Sequence, residues 1–188
     1  MEILIAVLLA GGIVALGARL VRRGQTGATT AAPELVEQPR AELERARAGD
    51  VVVHDRVDLL VERVVRLCEG RASWVELALR DGPAEWWLVL GAADEQGALL
   101  GKRTEGLPIV GREPPESLEL DGKIYRLARA GQARAESDAA GESGVWDWWE
   151  YDRPGADRLW LRRVGDELRA CAGERVPRHM LELIPADE

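Results

Sequence analysis

The amino-acid sequence predicts an all-β fold: a duplicated antiparallel β-meander that forms a compact barrel-like or sandwich-like body, behind one N-terminal transmembrane helix. From Gly49 onward, short runs rich in Val, Leu and Trp alternate with Asp-Gly, Gly-Pro and Pro-Gly pairs, which is typical of antiparallel strands joined by tight turns. Two stretches of this body repeat the same features in the same order, and the first residues of the chain are almost wholly apolar. A length of 188 residues suits one domain with an appendage.

The apolar run at the N-terminus covers residues 3–18 and is followed by arginines, the first of which is Arg19. A helix of this length spans ~24 Å, somewhat less than a hydrocarbon core of ~30 Å, and snorkelling of Arg19 extends it. A cleaved signal peptide would begin with a positive segment, and a lipoprotein signal would carry Cys where Gly12 stands. We therefore predict a single-pass anchor in the cell membrane at residues 1–23. The arginines that follow the helix place the body in the cytoplasm.

Behind the anchor, residues 24–47 are small, polar and punctuated by proline, which predicts a flexible linker. The β-rich domain then covers residues 48–186, in two similar halves at about 48–105 and 115–184. The candidate strands are Val51–His54, Val57–Cys68, Trp74–Arg80, Glu85–Leu90, Ala98–Arg103, Ser117–Leu120, Ile124–Ala130, Val145–Asp152, Arg158–Val164, Leu168–Cys171 and Met180–Ile184.

Two segments of this domain need a further argument. Residues 59–68 would also line one face of a helix, but their density of Val favours a strand. Residues 131–144 are small and polar, which predicts a mobile loop between strands.

The two halves share an order of features. Trp74 matches Trp148 and Glu76 matches Glu150, and in both halves a charged turn with Gly and Pro follows. The pairs Trp87-Leu88 and Trp160-Leu161 then match, with Trp-to-Trp spacings that differ by one residue. Self-similarity of this kind predicts a duplication of a meander of about fifty residues.

Short motifs give the chain a family resemblance. The Gly49-Asp50 opening, the W-x-E-x-x-L strand at Trp74 and the later WWEYD at 148–152 resemble a bacterial family called domain of unknown function 4178, over roughly residues 47–186. The resemblance implies no activity and no catalytic residues. Similar members in actinobacteria sit beside genes for small membrane proteins and a spermidine-synthase-like aminopropyltransferase. The resemblance therefore implies a membrane protein or a neighbouring-operon protein as partner, and a link to polyamines.

Composition excludes several classes of function. The net charge of -8 without a basic stripe argues against nucleic-acid binding, because phosphate contacts need clustered Lys and Arg. His54, His179, Cys68 and Cys171 lack the close spacing of a zinc site. No nucleophile-base-acid order and no phosphate-binding glycine loop is present. The sequence thus predicts a protein that is not an enzyme and holds no metal or cofactor.

The candidate contact residues are aromatic and acidic. Residues i and i+2 of a strand share a face, so Trp74 points to the same side as Glu76, and Trp148 to the same side as Glu150. An aromatic ring beside a carboxylate can hold an ammonium group, although the simpler interpretation is that each Trp fills the core and each Glu pairs with an Arg. In the same stretch Trp149 and Tyr151 share the opposite face, which is either covered or an exposed patch for a partner.

These features predict a membrane-tethered, non-enzymatic accessory or interaction module. The alternative is a cytoplasmic sensor of polyamines or small cations that uses the two Trp/Glu pairs.

Overall fold

The structure is a computed structural model that describes residues 43–91, 97–109, 111, 113–139 and 143–186. The predicted anchor at residues 1–23 lies outside these ranges, as does most of the predicted linker. Nowhere in the described ranges is there a helix of the length and apolarity that crossing a membrane requires.

The described residues form eleven strands and two short 3₁₀ turns. The strands are β1 (Val51–His54), β2 (Val57–Glu69), β3 (Ala72–Asp81), β4 (Ala84–Leu90), β5 (Gly97–Thr104), β6 (Ser117–Leu120), β7 (Lys123–Ser137), β8 (Gly144–Asp152), β9 (Asp157–Val164), β10 (Glu167–Pro177) and β11 (Leu181–Ile184). The 3₁₀ turns are Leu43–Arg45 and Arg178–Met180. The all-β class is confirmed, and the valine-rich run at residues 59–68 is a strand.

One prediction about this region is wrong. Residues 131–137, assigned from the sequence to a loop, continue β7. The inward side chains are small because this end of the strand faces a core crowded with tryptophan: Ala133 and Ala135 are buried there, while Gln132, Arg134 and Glu136, which alternate with them, are exposed. The small inward side chains of residues 131–137 therefore reflect the limited space in the core and do not indicate a turn.

All strands belong to one antiparallel sheet in the order β11-β1-β2-β3-β4-β5-β10-β9-β8-β7-β6. The later part of β2 also pairs with the later part of β7, as in Leu67 opposite Ala135. This additional pairing closes β2, β3, β4, β5, β10, β9, β8 and β7 into a ring. The earlier part of β2 pairs with β1, and the earlier part of β7 pairs with β6, so these two short strands lie outside the ring.

The interior of the ring buries one cluster of side chains, and two separate parts of its outer face bury two more. Strands on both sides of the ring contribute to the cluster that we call the ring core, which consists of Val65, Leu67, Trp74, Trp87, Val89, Ala133, Ala135, Trp146, Trp148, Trp160 and Cys171. The opposite faces of β2–β5 form an aliphatic cluster with β1, β11 and the segment around Leu43 and Ala46. The opposite faces of β7–β9 form a third cluster with β6, which includes Trp149 and Tyr151.

The seam between β5 and β10 depends on two glycines. Gly101 and Gly173 face each other in register. A Cβ on Gly173 would lie 2.1 Å from the carbonyl oxygen of Leu100, and one on Gly101 would lie 2.5 Å from that of Ala172. The two backbones therefore approach more closely than any side chain at either position would allow.

Candidate functional site

The structure separates the six candidate residues into two places. Trp74 and Glu76 on β3, and Trp148 and Glu150 on β8, face the interior of the ring. Trp149 and Tyr151 lie on the opposite face of β8, in the third cluster. All six side chains are buried, so the aromatic stretch of β8 is covered on both faces and forms no exposed patch.

Glu76 is paired inside the ring core with a residue of the other half of the chain. Its carboxylate forms an ion pair with Arg162 on β9 and accepts a hydrogen bond of 2.8 Å from the indole Nε1 of Trp160. The Arg162 guanidinium lies over the rings of Trp87 and Trp146, 4.1 Å and 4.7 Å from their centroids. An aromatic and acidic box for a cation is thus present, and a guanidinium of the chain itself fills it.

Glu150 has a second, less buried ion pair. Arg129 Nε on β7 donates to Glu150 Oε2 at 2.9 Å, and Arg175 lies 3.8 Å from the other carboxylate oxygen. The Arg129 guanidinium also lies 5.7 Å from the ring centroid of Trp148. Trp148 in turn donates its indole N–H to Glu69 at 3.2 Å. Both predicted glutamates therefore hold arginines, but only in the second pair does the arginine also lie against the predicted tryptophan, because Arg162 lies over Trp87 and Trp146.

Three tryptophans pack against one another in the ring core. Trp148 stacks on Trp160 with centroids 5.2 Å apart and planes 13° apart, and Trp74 meets both rings edge-on. Offset-stacked and edge-to-face contacts are the favoured arrangements of aromatic rings. These rings occupy the space that a ligand inside the ring would need.

The buried titratable groups of these clusters are held in inactive forms. Burial raises the pKa of the Cys171 thiol far above its usual range, so the sulfur stays protonated and is a poor nucleophile. Burial also raises the pKa of Tyr151 to about 12, and its hydroxyl donates to the carbonyl of Pro115 at 2.7 Å. In the part of the chain that the structure describes, no His, Cys, Asp and Glu side chains are grouped to hold a metal ion.

A cleft of about 270 Å³ lies next to the ring core. It is lined by residues of β2, β3, β4, β5 and β10 that are on the same strand faces as the core residues. Its polar lining consists of Glu62, Arg63, Arg80, Glu85, Arg103 and Arg169, and Ala78 and Ala139 complete the lining. Four arginines and two glutamates give the lining a positive balance, in a chain whose net charge is -8.

Three of the four arginines in the cleft are oriented by acidic neighbours, and one of them is Arg169, which donates a hydrogen bond of 2.8 Å to Glu167. Arg80 donates two hydrogen bonds of 2.8 Å to Glu62, and Arg103 donates one of 2.9 Å to Glu85. Burial alone would raise the pKa of Glu85, but hydrogen bonds from Arg103 and Trp87 outweigh it and leave the pKa below its usual value. The carboxylate therefore stays ionised and holds Arg103 at the cleft.

The register of the strands relates this cleft to the Arg129–Glu150 pair. β2 and β7 both begin after a two-residue turn, and each has a bulge at the same distance from its start, before Arg63 and before Arg129. Immediately after the bulge, Arg63 pairs with Ala78 on β3, and Arg129 pairs with Glu150 on β8. Ala78 thus occupies in the first half the position that Glu150 occupies in the second.

The same register changes the correspondence of the tryptophans. The sequence aligns Trp74 with Trp148. The bulges and strand starts instead make Trp74 equivalent to Trp146, two residues earlier on β8. Trp87 and Trp160 correspond in both alignments. The shift arises because the W-x-E motif repeats within β8, where Trp146 and Trp148 share a face, and only the bulge identifies the equivalent residue.

The cleft itself was not predicted from the sequence. Its arginines come from four strands and are separated by long stretches of chain, so no local motif marks them. The alternation of strand residues could have indicated them. Arg63, Arg80 and Arg103 are each an even number of residues from core residues of the same strand and therefore lie on the same face.

Fold and cleft together define a small all-β domain whose closed ring is filled by tryptophan and opens into a charged cavity. A family described as Domain of unknown function (DUF4178) matches residues 47–178, and the chain belongs to this family. No curated protein sequence and no solved structure matches the chain.

Proposed function

We propose that this protein is a membrane-tethered, non-enzymatic accessory module, anchored by residues 1–23 with its body in the cytoplasm, that binds a partner through the charged cleft. The observation that carries the proposal is how the acidic groups of the core are used. Glu76 and Glu150 are engaged by Arg162 and Arg129, and the Cys171 thiol stays protonated. Among the described residues of the ring core, no group is thus poised for proton transfer or nucleophilic attack, whereas the cleft offers charged donors to solvent.

The finer architecture is part of the same proposal. We take the body to be a barrel-like product of duplication, with β1–β5 and β6–β10 as its two halves. The matching turns before β2 and β7, and the matching bulges before Arg63 and Arg129, support this view. The shared order of strands in the two halves supports it as well.

Fractionation tests the tether. We expect the full-length chain to remain in the membrane fraction after an alkaline carbonate wash, and a chain that lacks residues 1–23 to become soluble. A full-length chain released by the wash would contradict the anchor.

Co-purification tests the partner. The full-length chain, extracted from its own membranes in mild detergent, should retain a membrane protein or a neighbouring-operon protein at a fixed stoichiometry. Arg103→Gln in the cleft should weaken this retention, and Arg66→Gln, on the same sheet but outside the cleft, should not. A chain that purifies alone would contradict the accessory role.

The polyamine-sensor hypothesis remains a second candidate, since the boxes around Arg162 and Arg129 have the composition that binds cations. A polyamine would have to displace one of these guanidiniums, and Arg129 is the more exposed of the two. Glu150→Gln should then weaken spermidine binding in a calorimetric titration, whereas Glu119→Gln, on the short strand β6, should not. Equal binding by both variants would remove this candidate.

A further inference from the structure

We propose that the outer face of β8 and β9 carries a binding site for a carboxylate attached to an apolar group, and that Arg163 is the residue that recognises the carboxylate. Arg163 lies on the side of β9 that faces away from the ring core, opposite Asp147 on β8 and Leu168 on β10. None of these three residues lines the cleft. The inference therefore goes beyond the binding role proposed above and depends on neither the cleft nor the anchor.

Arg163 is a buried cation that has no carboxylate partner among the described residues. Its side chain belongs to a residue that is only 7% exposed, and its Nε is enclosed without a hydrogen-bond acceptor. The adjacent Arg162 is also buried, but it points into the ring core and has Glu76 as its counter-ion. Charges that are buried in proteins are normally compensated by a partner of opposite sign. Within the described chain, Arg163 lacks that partner.

The surroundings of Arg163 orient its guanidinium without neutralising it. Its Cζ lies 5.7 Å from the ring centroid of Trp149, and an arginine over an aromatic ring keeps its in-plane N–H groups for a second partner. Asp147 is directly opposite, but its carboxylate accepts a hydrogen bond of 2.7 Å from Gln132. The terminal nitrogens of Arg163, unlike Nε, are not enclosed, so a ligand reaches them without breaking an internal ion pair.

The charge of Asp147 and two apolar residues define the class of ligand. A carboxylate matches the two parallel N–H groups of a guanidinium, and one negative charge balances Arg163. Asp147 on the same face repels a group with more than one negative charge, which disfavours phosphate. Val145, two residues before Asp147 on β8, is 68% exposed, and Leu168 is partly buried beside Arg163. These side chains offer an apolar surface to the remainder of the ligand.

The experiment is a titration of the isotope-labelled full-length chain in mild detergent with sodium butyrate, at constant ionic strength set by chloride. We expect saturable shifts of the backbone amide signals of Asp147 and Leu168. Arg163→Gln should raise the half-saturating concentration at least about tenfold, as expected for the loss of charge-assisted hydrogen bonds. The matched control is Arg71→Gln, in the exposed turn between β2 and β3, which should leave the half-saturating concentration unchanged.

Thermal unfolding provides a second measurement. In chloride alone, Arg163→Leu should unfold at a temperature no lower than that of the wild type, because it removes an uncompensated buried charge. Butyrate should raise the unfolding temperature of the wild type, since it binds the folded state, and should leave that of Arg163→Leu unchanged. A purely structural arginine would give the reverse: a less stable variant, and no effect of butyrate on the wild type.

Asp147→Asn keeps the test decisive if Arg163→Gln does not fold. The asparagine still offers Gln132 an acceptor but no longer repels the ligand, so the half-saturating concentration of butyrate should fall about twofold to fivefold. An unchanged value would contradict the role of Asp147 in selectivity.

A parallel titration with N-acetylglutamate α-amide identifies the source of the carboxylate. This blocked amino acid presents the same group as an acidic side chain of a protein. Tighter binding of butyrate would support a site for a free acid, and tighter binding of the blocked glutamate would support a site for a protein side chain.

Three outcomes would overturn the site. One is a response to butyrate and to the blocked glutamate no larger than that to chloride, another is a response that Arg163→Gln leaves unchanged, and the third is a stronger response to inorganic phosphate than to either carboxylate. The titration uses no partner protein and changes no residue of the cleft. Its failure would therefore leave the co-purification result intact, and the converse also holds.

Discussion

Glu76 and Arg162 form an ion pair across the ring core, with each side chain only 2% exposed. They belong to different halves of the chain and are 86 residues apart in sequence. Desolvation of two charges is costly, and the pair is tolerated here because Trp160 supplies a further hydrogen bond and two indole rings cover the guanidinium. The pair therefore links the two halves of the chain through the centre of the ring.

The first prediction concerns this pair. Glu76→Gln should reduce the free energy of unfolding by about 3–5 kcal/mol, because it leaves the Arg162 charge buried without compensation. The double variant Glu76→Leu/Arg162→Leu should lose less than Glu76→Gln alone. Urea denaturation checks both, with Glu62→Gln on an exposed pair as a control that costs under ~1 kcal/mol. A double variant as unstable as the sum of the single changes would contradict the coupling.

The second prediction concerns the glycine seam. Gly173→Ala should lower the free energy of unfolding by at least about 1–3 kcal/mol, since its Cβ would overlap the backbone of β5. Gly131→Ala is the comparison, because a Cβ there would meet the carboxylate end of Glu69, at 2.4 Å, and that side chain can move at the cost of its hydrogen bond from Trp148. Thermal unfolding should therefore place Gly131→Ala closer to the wild type. The reverse order would show that β5 and β10 can separate.

The third prediction concerns pH. Arg103 and Trp87 leave the folded-state pKa of Glu85 below its ordinary value of 4.5, against the opposing effect of burial. A depressed carboxyl pKa contributes stability that is present above the unfolded-state value and is lost as pH falls through the folded-state value. The stability difference between the wild type and Glu85→Gln should thus be constant at neutral pH and shrink below about pH 4.5. Melting curves across this range measure it, and a difference that grows on acidification would contradict the assignment.

The fourth prediction concerns tryptophan accessibility. Of the seven tryptophans, Trp86 alone is only partly buried, with Lys102 4.7 Å above its ring. Iodide should quench only a minor part of the fluorescence, and Trp86→Phe should remove that part. Trp149→Phe, on the covered face of β8, should leave it unchanged. Strong quenching in Trp86→Phe would mean that the aromatic stretch of β8 is open to solvent.

The positions of the strands were predictable because alternation and turn pairs are local properties of the sequence. The valine-rich β2 and the short β1, β6 and β11 all occur where the pattern places them. The later part of β7 was missed because its alanines are small for a reason that lies in other strands, namely the indoles that they face.

The candidate site was less predictable, because it depends on which strands meet. The shared face of Trp74 and Glu76 follows from strand geometry alone. That Arg162 would pair with Glu76 depends on how the ring closes between β2 and β7, which no local pattern encodes. The burial of Trp149 and Tyr151 likewise needs β6 and its neighbours to cover that face of β8.

The pairing of β1 with β11 places the beginning and the end of the described body side by side, with Val51 opposite Ile184. A force that pulls these two ends apart would break the hydrogen bonds between β1 and β11 one residue pair at a time, starting at this pair. In a single-molecule pulling experiment, the body should therefore release β11 at low force, before the ring opens. The ends could also be joined by a short linker and new ends made between β8 and β9, so a circular permutant of this body should keep the ring.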